Sequence, residues 1–171
     1  QRFSLYELLT VDENIRFFGG VYGLTPERLA ARRRFVLEMA GLIGREQTLA
    51  RDLAGGWRQR LALGCAILHE PAILFLDEPT GGVDPLSRRQ FWRLIDVLSQ
   101  GGVTVLVTTH YLDEAERCHR VALIHAGRLA ALGTTAEVKR IFDGRPIVEL
   151  RAPQAVAVMR ASVFRGGGLS A

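Results

Sequence analysis

The chain has 171 residues, 48% hydrophobic and 23% charged, with a formal net charge of +4 at pH 7. That is one domain's worth of an ordinary globular composition, long enough for a real core. Its apolar runs, such as Ala72 to Leu76 and Val103 to Val107 with Thr104 inside it, fall far short of the roughly 20 residues that span a bilayer, which excludes a membrane-crossing segment of its own.

In chain order, Thr10 with Glu13 three residues on predicts a capped helix over Thr10 to Tyr22, with Ile15, Phe18 and Tyr22 at helical spacing and Gly23 as its stop. Thr25-Pro26-Glu27 starts a second helix with a cap, a proline in the first turn and an acid beside it. Leu29, Phe35, Val36, Met39 and Ala40 share one side of that helix, and Gly41 or Gly44 ends it. Leu53 to Trp57, LAGGW, leads into a third helix expected over Trp57 to His69. Two glycines before a helix are either a loose turn or an anion site, where the backbone approaches a phosphate closely and the helix offers its first N–H groups and positive dipole end.

Ala72 to Leu76 runs apolar without a break into the carboxylates Asp77 and Glu78, after which Pro79 and Gly81-Gly82 stop regular structure. This reads as a buried parallel strand with two acids at its C-terminal end, where open parallel sheets bind ligands. Two adjacent carboxylates repel unless a cation or proton intervenes. One acid can hold Mg²⁺ while the other orients or deprotonates an attacking water; alternatively, the pair simply closes a strand and caps the next turn.

Asp84 before Pro85 is an ordinary helix start, predicting a helix over Pro85 to Gln100. Val103 to Val107 is the next strand, left through Thr108-Thr109-His110. A lone histidine there is usually a capping or surface group, but Asp77 and Glu78 on what should be a neighbouring strand favour a functional one. Tyr111 to Cys118 reads as a short acidic helix, and Val121 to Ile124 with Arg128 to Leu132 as a hairpin turning at Ala126-Gly127. Gly133-Thr134-Thr135 caps a last helix reaching about Phe142. Pro146 to Leu150 could form a strand and Gln154 to Val163 a helix or strand.

The densest basic run, Arg28, Arg32, Arg33 and Arg34, is read as a solvated helix face, with contact to anionic lipid or an acidic partner as the alternative. No aromatic residues interleave with it to stack on bases, so no nucleic acid partner is expected. Cys65 and Cys118, on predicted helices at a spacing that suits no metal knuckle, are expected to be reduced thiols, Cys65 in the core.

Leu53 to Pro71, the strand Ala72 to Leu76, the acid pair, the Gly82-Val83-Asp84 turn and the second strand with His110, in this order, resemble the second half of the ATP-binding domain of ABC transporters. The match runs from Gln1 to about Leu132 and is nearest to bacterial drug and antibiotic exporters. The resemblance implies an α/β fold, part of a P-loop NTPase domain: parallel core strands plus an α-helical subdomain over about 7–69, the whole occupying 1–144. A small C-terminal α+β regulatory extension would begin at 145–171. No long coiled-coil insertion is present, which argues against the chromosome-maintenance branch.

The same resemblance implies ATP and Mg²⁺ as ligands. Glu78 would be the general base and His110 the contact to the γ-phosphate and attacking water. Asp77 and Gln1 would be the metal partners, Gln1 belonging to the glutamine loop. Ala54, Gly55, Gly56 and Trp57 would form the signature loop, usually Leu-Ser-Gly-Gly-Gln; here Ala54 replaces the serine and cannot donate a hydroxyl to the γ-phosphate, and Trp57 replaces the glutamine. Asp84 would cross the interface of a head-to-tail dimer with a second such domain. Membrane-spanning transporter subunits would be the further partners, and the location the cytoplasmic face of the inner membrane.

No G-x-x-x-x-G-K-[ST] phosphate loop occurs in the sequence. It is expected upstream of Gln1, making the chain a piece of a longer ATPase that alone binds ATP poorly and leaves apolar edges of Ala72–Leu76 open to water. Two rival functions remain at this point: a soluble ABC-type ATPase acting on ribosomes or DNA, and a non-catalytic regulatory module.

Overall fold

A computed structural model describes residues 5–140 of the chain. The residues group into two compact units, one up to Ala115 and one from Glu116. The boundary expected at 144/145 lies outside the described residues, as do Gln1 and the proposed C-terminal extension.

The first unit begins with three helices: α1 (Val11–Val21), α2 (Pro26–Ala40) and α3 (Gly55–Ala66). The caps are those the sequence predicts. Thr10 and Glu13 form a reciprocal capping box, and Thr25 accepts from the Arg28 N–H with Pro26 in the first turn. The apolar stripes converge on a core of Val11, Ile15, Val36, Leu42, Leu61 and Leu68, each fully buried. Helix α3 approaches α2 so closely that a Cβ on Gly64 would lie 2.4 Å from Val36 Cγ1. At the surface, Glu70 pairs with Arg28 at 2.7 Å and Arg32 at 3.2 Å, so two members of the basic run join α2 to the segment after α3.

Two boundaries differ from expectation. Helix α3 starts at Gly55 and ends at Ala66, rather than running from Trp57 to His69. Ala54 takes the backbone of an N-cap, φ −59° and ψ 150°, so the helix begins at Gly55, and Ile67 closes it with φ −104°. The acidic helix α5 is only Leu112–Ala115, so Cys118 lies beyond it. Cys65 is buried in the core as expected, at 2% exposure.

Strand β1 (Ile73–Asp77) pairs in parallel with β2 (Thr104–Thr108), Ile73 opposite Thr104 and Asp77 opposite Thr108. The crossover between them is α4 (Pro85–Gln100), which buries Phe91, Trp92, Ile95 and Leu98 at helical spacing. The expectation of a fully buried strand is corrected: in β1 only Leu74 is buried, while Ile73, Phe75 and, on β2, Leu106 are exposed. Each strand has the other as its partner among the described residues, so alternate side chains on this two-stranded ribbon face solvent, leaving the open apolar edges foreseen from the sequence.

The second unit is a hairpin, β3 (Val121–His125) and β4 (Arg128–Gly133), followed by α6 (Thr135–Arg140). The strands are antiparallel and turn at Ala126 and Gly127, with φ of 48° and 71°. A capping box starts α6: the Glu137 N–H donates to the Thr134 hydroxyl at 3.3 Å and the Thr134 N–H donates to the Glu137 carboxylate at 2.7 Å. Residues 141 and 142, expected to end this helix, are outside the described part.

Candidate functional site

Parallel pairing ends β1 and β2 at the same level, with Asp77 opposite Thr108. The Thr108 hydroxyl donates to the Asp77 carboxylate and accepts from the Glu78 N–H at 3.2 Å. The same N–H reaches the Thr108 carbonyl at 3.0 Å. Glu78 leaves the strand with φ 42°, in the left-handed region that a residue with a Cβ enters at some cost. Held there, its carboxylate meets the imidazole of His110, Glu78 Oε1 to His110 Nδ1 being 3.2 Å.

Both groups reach solvent, Glu78 with 38% and His110 with 57% of the side chain exposed. An imidazole that donates from Nδ1 to a carboxylate leaves Nε2 as the acceptor in its neutral form. The pair is therefore a proton acceptor and an orienting ring side by side at the mouth of two parallel strands. Tyr111 stacks next to His110, ring centroids 4.1 Å apart, and the Arg88 guanidinium lies over Tyr111 at 4.2 Å.

Asp84 is the N-cap of α4: its carboxylate accepts from the Leu86 and Ser87 N–H groups, both at 3.0 Å. Hydrogen bonds from the Ser87 side chain and backbone hold this exposed carboxyl below its usual range. The helix-start reading of Asp84 is thus realised, on a residue that is exposed.

Ala54 is the N-cap of α3 and contributes no side-chain hydrogen bond there. A Cβ on Gly56 would lie 2.3 Å from the Ser87 hydroxyl, so the loop sits against the start of α4. Arg45 stacks over the Trp57 ring at 4.1 Å. The uncapped first turn at Gly55 and Gly56 retains the N–H groups and dipole end suited to a phosphate. Gln1 lies outside the described residues.

The structure brings Asp77, Glu78 and His110 together, and adds a residue that sequence reasoning passed over. Glu114 is 1% exposed, whereas its neighbour Asp113 has 71% of its side chain exposed. Nothing in LDEAE distinguishes the inward acid from the outward ones; only the fold does. For a metal, the available donor is the hard carboxylate of Asp77 at an exposed strand end, and this fits Mg²⁺, which binds through one or two carboxylates, waters and substrate phosphates.

A model of the family described as "ABC transporter" matches residues 1–81, and one described as "AAA domain, putative AbiEii toxin, Type IV TA system" matches 58–112. The chain is 50% identical over 139 residues to the probable multidrug ABC transporter ATP-binding protein YbhF of Escherichia coli, covering 81% of this chain and 24% of that protein. It is 37% identical to the linearmycin resistance ATP-binding protein LnrL of Bacillus subtilis (88% and 49% covered) and 40% identical to the daunorubicin/doxorubicin resistance ATP-binding protein DrrA of Streptomyces peucetius (86% and 45%). The chain therefore spans from about a quarter to about half of these relatives' length. A solved structure titled "Structure of ATP binding subunit of ABC transporter" superposes with a TM-score of 0.70 at 28% identity, over 94% of this chain and 65% of that one. With the parallel strand pair, the helical subdomain and these matches in agreement, the chain belongs to the ATP-binding domain family of ABC transporters.

Proposed function

We propose that this chain is part of the ATP-hydrolysing subunit of an exporter for drug-like or hydrophobic molecules. The observation that carries the reading is the Glu78–His110 contact of 3.2 Å at the ends of paired parallel strands. Glu78 is the group that takes the proton from water as it attacks the γ-phosphate, and His110 holds that water and the phosphate in line. Asp77, with its position fixed by the Thr108 hydroxyl, and Gln1 would hold Mg²⁺, which would supply charge neutralisation on the phosphates. The first turn of α3, from Ala54 through Gly55 and Gly56 to Trp57, meets the γ-phosphate held by a second copy, and Asp84 lies along that dimer interface.

Two such domains, stacked head to tail, would drive membrane-spanning subunits from the cytoplasmic face of the inner membrane. No helix among the described residues is long and apolar enough to cross a membrane. The relatives named for multidrug, linearmycin and daunorubicin/doxorubicin resistance support the class of cargo.

The test is Glu78→Gln in the complete gene product. Glutamine keeps the shape but cannot take a proton, so hydrolysis should fall at least ~100-fold while ATP binding and the ATP-bound dimer persist. Hydrolysis within a few-fold of the unsubstituted protein would overturn the assignment of the base.

A further inference from the structure

Within the first unit, the segments carrying Glu78, His110 and Asp84 converge on one buried carboxylate that takes no part in the proposed chemistry. The hydroxyl of Thr80, two residues after Glu78 and 1% exposed, donates to Glu114 Oε1. The hydroxyl of Thr109, immediately before His110, donates to Glu114 Oε2 at 2.7 Å and accepts from the Tyr111 N–H at 3.0 Å. From α4, the helix that Asp84 caps, Arg88 Nε approaches Glu114 Oε1 at 3.7 Å. Each oxygen of one carboxylate thus holds a different segment of the site, and a cation from a third stands beside it.

A buried carboxylate is expensive unless it stays paired. Burial opposes the charge on Glu114, yet the Thr80 and Thr109 hydrogen bonds and the Arg88 charge outweigh it, and the carboxyl is held below its usual range. The charged acceptor makes both hydroxyl bonds stronger than neutral ones. Such a group resists displacement, because moving either threonine away leaves a desolvated charge short of a partner. The exposed pair it serves is not buried in this way: Glu78 and His110 are both open to solvent, and apart from the Tyr111 ring beside His110 their 3.2 Å separation depends on the backbone segments on which they sit.

We infer that Glu114 is a positioning residue that locks the turn after Glu78 to the loop bearing His110, and so fixes the geometry of the hydrolytic pair. The inference rests on the ATPase reading for its consequence, but the lock itself is a statement about structure. It predicts that loosening Glu114 harms the chemical step and leaves nucleotide affinity nearly intact, since no atom of Glu114 is in the solvent-facing site.

The experiment compares Glu114→Gln, nearly isosteric and uncharged, with Thr109→Val and the unsubstituted complete gene product, by amide hydrogen exchange and by steady-state ATP hydrolysis. Glu114→Gln should speed exchange in the segments around 78–82 and 108–112 while leaving α1 to α3 unchanged, and lower kcat about tenfold or more with KM for ATP shifted less than about threefold. Thr109→Val, which removes one of the two tethers and does not itself bury a new charge, should act in the same direction more weakly. Unchanged exchange at both segments would overturn the lock, and loosened segments with unchanged kcat would overturn its role in positioning. Failure of the ATPase reading would look different: the unsubstituted protein, or its Glu78→Gln form, would break the expected pattern of hydrolysis while the exchange data still decided whether the lock exists.

Discussion

Gly56 and Ser87 are in closer contact than any residue with a side chain at position 56 could allow. A Cβ there would lie 2.3 Å from the Ser87 hydroxyl and 2.6 Å from its Cβ, but 3.8 Å from its Cα. Gly56→Ala should therefore destabilise the protein by about 1–3 kcal/mol through overpacking. Ser87→Gly in the same chain should recover most of that loss, less the ~1 kcal/mol that glycine costs in a helix, whereas Ser87→Ala, which retains the Cβ, should not. Urea unfolding of the two double variants separates them, and equal recovery by both would refute the steric account.

Ala54 has the backbone of a helix cap without the side chain of one. Its φ and ψ of −59° and 150° match those of Thr10, Thr25 and Asp84, each of which caps its helix with a side-chain hydrogen bond. Ala54→Ser should then stabilise the fold by about 1 kcal/mol, because the hydroxyl satisfies a first-turn N–H with no change of backbone. A rise in the thermal midpoint is the expected outcome; a fall would mean that the first turn of α3 has no room for the hydroxyl.

Asn14 is fully buried and ties the segment leading into α1 to the helix itself. It accepts from the Tyr6 N–H at 2.9 Å and donates to the carbonyls of Tyr6, Leu9 and Thr10 at 3.0, 3.2 and 2.9 Å. The three carbonyls each keep a backbone partner without it, from the N–H groups of Leu9, Ala50 and Asn14; the Tyr6 N–H loses the bond described here. Asn14→Ala should cost about 2–3 kcal/mol, one orphaned donor plus a small cavity. Asn14→Asp should cost at least as much at neutral pH, as it turns a charge toward three carbonyls, and should be milder in acid. A loss below about 1 kcal/mol for Asn14→Ala would show that the segment is held by other contacts.

Burial pushes the Cys65 thiol up to about 12 from an ordinary 9.0. Because the folded pKa is the higher, the stability tied to this group is intact below about pH 9 and is lost as the pH rises from there toward about 12. The slope should approach ~1.4 kcal/mol per pH unit in that window, and should be missing from Cys65→Ala, so the difference between the two proteins isolates it from other titrating groups. In the folded protein at neutral pH, Cys65 should react with a thiol reagent far more slowly than the half-exposed Cys118; equal rates would contradict its burial.

Local chemistry made much of this legible beforehand. Thr10 with Glu13, Thr25 with Pro26 and Asp84 with Pro85 fix three helix starts because a cap and its partner lie within a few residues of each other. The hairpin at Ala126-Gly127 and the box of Thr134 with Glu137 are local for the same reason. Helix ends were less legible: Ala66 and Ala115 end their helices without a glycine or proline to announce it. The apolar run of β1 predicted a strand correctly and its burial wrongly, since burial depends on which neighbours cover each face.

By itself, then, the sequence determined the order of the elements, the acid pair at the end of β1, the histidine after β2 and the resemblance to a family, all matters of residue type and spacing along the chain. Only the tertiary structure decided that Glu78 and His110 touch, because they are 32 positions apart and parallel pairing sets their distance. It alone separated Glu114 from the acids beside it, because a helix of four residues has too little periodicity to mark an inner face. And it alone placed Gly56 against Ser87, a steric relation between two helices that no local pattern encodes.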